Sequence, residues 1–125
     1  MENNELILST LPKTWIFDLD GTLFIHNGYI SGEDIPIKSS IDFIKSLPDS
    51  DMIIILTSRS VEYRNITLRA LRNNGVRYNT IIFDVPVGER ILINDEKPSG
   101  LKTAHSINIK RDFGTNIRVV FNSHI

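Results

Sequence analysis

Short apolar runs alternate along this chain with segments of helical period. Residues 14–18, 52–57, 80–84, 90–94 and 106–109 are rich in β-branched and aromatic side chains, and 117–121 is a weaker sixth run. Between them, Ile41, Ile44 and Leu47 recur on one face of a helix predicted over 38–47, which stops at Pro48. In the next helix Val61, Leu68 and Leu71 form the stripe, with Ser60 as N-cap and Gly75 in the C′ position. Strands alternating with helices predict an α/β fold on a parallel sheet. From Thr22 to Pro36 the alternation breaks. There Asn27-Gly28, flanked by Phe24-Ile25-His26 and Tyr29-Ile30, predicts a β-hairpin flap between the first strand and the first helix.

With 125 residues, 41% hydrophobic and 23% charged, the chain has the make-up of one globular domain spanning 1–125. A net charge of -1 predicts neither a nucleic-acid partner nor a membrane partner. Cys 0 excludes disulfides and thiolate nucleophiles, and the acidic start MENNELILSTL lacks a signal-peptide pattern, so a cytoplasmic protein is expected.

The expected strands end in polar residues: Asp18 after the first, Thr57-Ser58-Arg59 after the second, and Asn94-Asp95-Glu96-Lys97 after the fourth. In open parallel sheets ligands bind beyond the carboxyl ends of the strands, which points these ends to one crevice. Asp18 and Asp20 are two apart and share a side in extended chain, so their repulsion calls for a cation. Mg²⁺ suits such oxygen donors, with Asp95 as a further ligand. Gly21 permits a tight turn, and the Thr57 hydroxyl and the amides opening the second helix are donors for an anion. A carboxylate is already ionised at neutral pH, so Asp18 can attack phosphorus while Asp20 serves as general acid and then base.

Asp18-Leu19-Asp20-Gly21-Thr22, following Trp15-Ile16-Phe17, resembles the signature of the haloacid dehalogenase-like (HAD-like) phosphatases, an apolar strand followed by DxDGT. Such a pattern arises by chance in about one chain in a thousand of this length. The family's second motif resembles Ile53-Ile54-Ile55-Leu56-Thr57, and its fourth resembles Ile91-Leu92-Ile93-Asn94-Asp95. The resemblance implies a three-layer Rossmann-like parallel sheet with helices on both faces, here with the flap and without a cap domain. It also implies Mg²⁺ held by Asp18, the main-chain carbonyl of Asp20, Asp95 and Asn94, and an aspartyl-phosphate on Asp18. Phosphate contacts are expected from Thr57, Ser58, Arg59 and Gly21.

The lysine expected before the fourth strand is missing, since 84–90 reads Asp-Val-Pro-Val-Gly-Glu-Arg, and Lys97 is the best substitute. The expected activity is hydrolysis of a phosphorylated small molecule, such as a sugar phosphate. A capless site suits a large substrate, or a small one enclosed by a second subunit in a homo-oligomer. Two alternatives stay open. One is a phospho-accepting receiver-type domain, for which Asp84-Val85-Pro86 resembles the acceptor site. The other is a phosphate-binding relative with little turnover.

Overall fold

The computed structural model describes residues 4–125. It is a small α/β protein with strands β1 (Asn4–Leu8), β2 (Thr14–Asp18), β3 (Met52–Leu56), β4 (Thr80–Ile82) and β5 (Ile117–Phe121). Its helices are α1 (Lys38–Lys45) and α2 (Arg64–Asn73). Among the described residues these strands pair in parallel and form two sheets, β1-β5 and β2-β3-β4. Two compact units result, one from Pro12–Pro86 with Ile109–Asn116, the other from the described residues up to Leu11, Val87–Asn108 and Ile117–Ile125. Among the described residues no helix is long and apolar enough to cross a membrane.

In the larger unit, β2-α1-β3-α2-β4 follows the expected alternation. Parallel neighbours need such crossovers, because a tight turn cannot reverse the chain far enough. Phe17, Ile53 and Ile55 enter one core with Ile41 and Ile44 of α1 and Leu71 of α2, and Phe43 meets Trp15 edge-on at 5.7 Å. The alternate side chains Ile16, Met52 and Ile82 are about half exposed, at 51%, 46% and 49%. Both helices thus serve a single core, and the strand positions of opposite parity stay open.

At the amino end of this sheet, buried Asp51 ties the strands in register. Its carboxylate accepts from the Lys13 amide at 3.0 Å and the Trp15 indole at 2.9 Å. The second helix starts where the capping pattern predicts: the Ser60 hydroxyl accepts from the Glu62 amide, opening a 3-10 turn (Val61–Tyr63) that runs into α2. Gly75, at φ +69°, ends it as expected, with its amide bonding the Arg72 carbonyl and that of Val76 the Leu71 carbonyl. Val61, expected on the buried stripe, is instead 52% exposed, and Thr67 and Leu71 carry the buried face.

The flap differs from expectation. Its stem is the antiparallel bridge of Phe24 with Pro36, with the Ile25 amide bonded to the Ile35 carbonyl and the Ile37 amide to the Leu23 carbonyl. Its tip is not a two-residue hairpin turn but a 3-10 turn over Gly28–Ser31, with Asn27 at φ 57°. The Glu33 amide bonds back to the Gly28 carbonyl, so the tip folds on itself before strand pairing can begin.

In the smaller unit, β1 pairs with β5 from Asn4 with Ile117 to Leu8 with Phe121. The strands expected over 90–94 and 106–109 do not form. Ile91 and Ile93 are 83% and 90% exposed, and the main chain nearby makes a local turn in which the Lys97 amide bonds the Leu101 carbonyl. β-propensity describes fit to a pleated, half-buried surface, and without a ladder partner these runs have none to fit.

Candidate functional site

Past Asp18 the chain winds into a tight turn rather than extending. The Leu19 carbonyl accepts from the amides of Thr22, Leu23 and Phe24, at 3.3, 2.9 and 3.1 Å. Gly21 takes φ +85° and its amide reaches the Phe24 carbonyl at 2.7 Å. A side chain is strained in that left-handed region, which accounts for glycine at this position. The Thr22 hydroxyl donates to the Asp18 carboxylate at 3.2 Å. Asp18 itself ends β2 opposite Leu56, so the Asp18 and Thr57 chain ends lie on adjacent strands.

A second segment braces this turn. The Asp112 amide donates to the Gly21 carbonyl at 2.8 Å, and the Asp112 carboxylate accepts from the His26 amide at 2.7 Å. A Cβ built on Gly21 would lie 3.1 Å from Cγ of Arg111, so the arginine stem passes close over the glycine. Sequence reasoning missed Arg111 and Asp112. The local signal was Gly114, at φ +92°, which ends the short loop that seats Thr115 against Ser40, hydroxyl to hydroxyl at 2.9 Å.

Thr57 is buried. Its amide donates to the Ile82 carbonyl, its carbonyl accepts from the Val85 amide, and its hydroxyl accepts from the Arg59 amide at 3.1 Å. Ser58 is exposed beside it. The amides that open the next helix are already engaged: that of Val61 donates to the Asp84 carboxylate and that of Glu62 to the Ser60 hydroxyl, both at 3.2 Å. Here side chains of the protein cap these amides, which were expected as donors for an anion.

Arg59 is 2% exposed and supplies a cation next to Asp20. Its Nε and Nη2 donate to the two oxygens of Asp20 at 3.0 and 2.9 Å. Nη2 and Nη1 donate to the two oxygens of Asp34 at 2.5 and 3.0 Å, and Nη1 also donates to the Thr67 hydroxyl at 2.9 Å. A guanidinium has five N–H donors, and here each has an acceptor. The Tyr29 ring lies over it, with Cζ 4.0 Å from the ring centroid. Burial alone would lower the Arg59 pKa; the hydrogen bonds to Asp20 and Asp34, with their charges, more than offset it and hold the group charged. The phosphate contact expected of Arg59 would have to displace one of these internal bonds, which engage all five donors. For Tyr29, burial foremost and then the Asp20 charge raise the phenol above its ordinary value.

Asn94, Asp95 and Lys97 belong to the smaller unit, on its irregular segment rather than at a strand end. The Asn94 amide donates to the Thr103 hydroxyl at 2.7 Å, and that hydroxyl donates to the Asp95 carbonyl. Lys97 opens the turn that closes at Leu101. Among the described residues no three His, Asp or Glu side chains gather closely enough to hold a metal ion. The donor chemistry suits a hard cation at Asp18, whereas both Asp20 oxygens are committed to Arg59. No protein-family model, no curated protein and no solved structure matches this chain.

Proposed function

We propose that this protein is a Mg²⁺-dependent phosphatase of the haloacid dehalogenase-like type, hydrolysing a phosphate monoester through an aspartyl-phosphate on Asp18. What supports it most is the D-x-D-G-T turn at the carboxyl end of β2, one strand from Thr57. An oxygen of Asp18 attacks phosphorus, the bond to the leaving oxygen breaks, and Asp20 gives that oxygen a proton. Water then attacks phosphorus, the bond to Asp18 breaks, and Asp20 takes the proton from the water. Each Asp20 oxygen accepts one bond from Arg59 and keeps a second lone pair, on which the transferred proton would be carried.

The Asp18 carboxylate and the main-chain carbonyl of Asp20 would hold Mg²⁺. The ion would shield the ester's negative charge from the attacking carboxylate. Thr57, Ser58 and the backbone at Gly21 are the proposed phosphate contacts. Asn94, Asp95 and Lys97 keep the roles that the resemblance implies as proposals alone. A Rossmann-like three-layer plan belongs to the same proposal, and the half-exposed face of Ile16 and Ile82 is where a further layer would lie. The substrate class, a sugar phosphate or similar small metabolite, is proposed by analogy.

One feature favours the second reading, a phosphate-binding relative with little turnover: every Arg59 donor is spent inside the protein. A panel of phosphorylated metabolites, assayed for phosphate release with and without Mg²⁺, separates the two. Mg²⁺-dependent release from a sugar phosphate is the expected result. Binding of a phosphate mimic without release from any substrate would support the silent relative.

A further inference from the structure

Asp34 had no place in the expected site, yet its side chain is only 6% exposed and both its oxygens are bonded to Arg59. It sits on the descending limb of the flap, just before the stem residues Ile35 and Pro36. The ascending limb supplies Tyr29, whose ring covers the same guanidinium and meets the Tyr63 ring edge-on at 4.9 Å. The Thr67 hydroxyl of α2 accepts from Arg59 and donates to the Tyr63 carbonyl at 2.7 Å. Flap, helix and Asp20 therefore converge on one buried cation.

We infer that Asp34 is a positioning residue: by sharing Arg59 with Asp20 it fixes the flap as an immobile wall of the site and sets the direction of the Asp20 carboxylate. This rests on the phosphatase reading for its catalytic consequence, though not for the latch itself. Arg59 is held from two sides in a planar fork. If Asp34 is removed, only Asp20, Thr67 and the Tyr29 face remain, and the guanidinium is free to turn with Asp20 attached. Proton transfer depends on that direction, because a misplacement on the order of 1 Å can cost about a hundredfold in rate. The flap loses its two-oxygen tie to Arg59 at the sheet end, so its stem bonds open more often.

The test uses the full chain with Asp34→Asn and Asp34→Glu, and Asp42→Asn as a control on an exposed ion pair with Lys38. Two readouts are taken: hydrogen exchange at the Ile25 and Ile37 amides of the stem, and kcat and KM for an aryl phosphate with Mg²⁺. For Asp34→Asn the expected result is exchange faster by roughly tenfold or more and kcat lower by about tenfold to a hundredfold, with KM little changed. Asp34→Glu, which keeps the charge on a longer arm, should recover part of both effects, and it carries the test if the Asn variant fails to fold. The control should move neither. Unchanged stem exchange would overturn the latch, and faster exchange with normal kcat would overturn the positioning of Asp20. A wild-type protein without turnover removes the phosphatase reading instead. Stem exchange then decides the latch, acceleration upholding it and constancy overturning it.

Discussion

Gly28 shows how a single residue can be required for a different reason than its neighbours suggest. The Asn27-Gly28 pair predicts a positive φ at the glycine, but it is Asn27 that adopts the left-handed conformation. Gly28 is needed because a Cβ there would lie 2.8 Å from the Glu33 carbonyl oxygen. Gly28→Val should therefore cost about 1–3 kcal/mol by overpacking, read from denaturant unfolding, with the Glu33 amide exchanging faster. Tyr29 carries a pH signature. Its pKa is raised above 10.0, by burial first and the Asp20 charge next, so the unfolded chain ionises before the folded one. That contribution to stability is intact below the unfolded value and is lost as pH rises through the folded one. Tyr29→Phe should flatten the fall in unfolding free energy on the alkaline side of about pH 10; an unaltered slope would contradict it. The D-x-D-G-T turn was legible because Gly21 and Thr22 act within four residues of Asp18. The partners of Arg59 were not, since Asp34 reaches it only through the shape of the flap.

Among the elements, β2 and β3 were legible almost to the residue, and so were the cap and stop of the second helix. Their signals are local: period, Ser60, Gly75. β1 escaped notice because Asn4–Leu8 becomes a strand only by pairing with Ile117–Phe121, at the other end of the chain. Residues 90–94 failed in the opposite sense, with the composition of a strand but no place in a sheet. Two alanine substitutions separate these cases. Ile53→Ala, at a side chain with 0% exposure in the core, should cost about 2–5 kcal/mol. Ile93→Ala, at 90% exposure, should stay within about 0.5 kcal/mol. A cost at Ile93 approaching that at Ile53 would mean that this run is a buried strand after all.

At the scale of the whole molecule, parallel sheets are normally covered on both faces, which makes the open side of β2-β3-β4 a testable property. Without the further layer proposed for that face, Ile16→Ser should change unfolding free energy by less than about 1 kcal/mol, since Ile16 is 51% exposed. A loss of several times that would show the face to be covered in solution. The chemistry rests on Asp18 as the nucleophile. The most direct measurement is peptide mass spectrometry on protein acid-quenched during turnover of an aryl phosphate with Mg²⁺. A phosphoryl group on the peptide containing Asp18, absent from Asp18→Asn, is the result predicted. A phosphoryl group on Asp84, or turnover that survives Asp18→Asn, would contradict it.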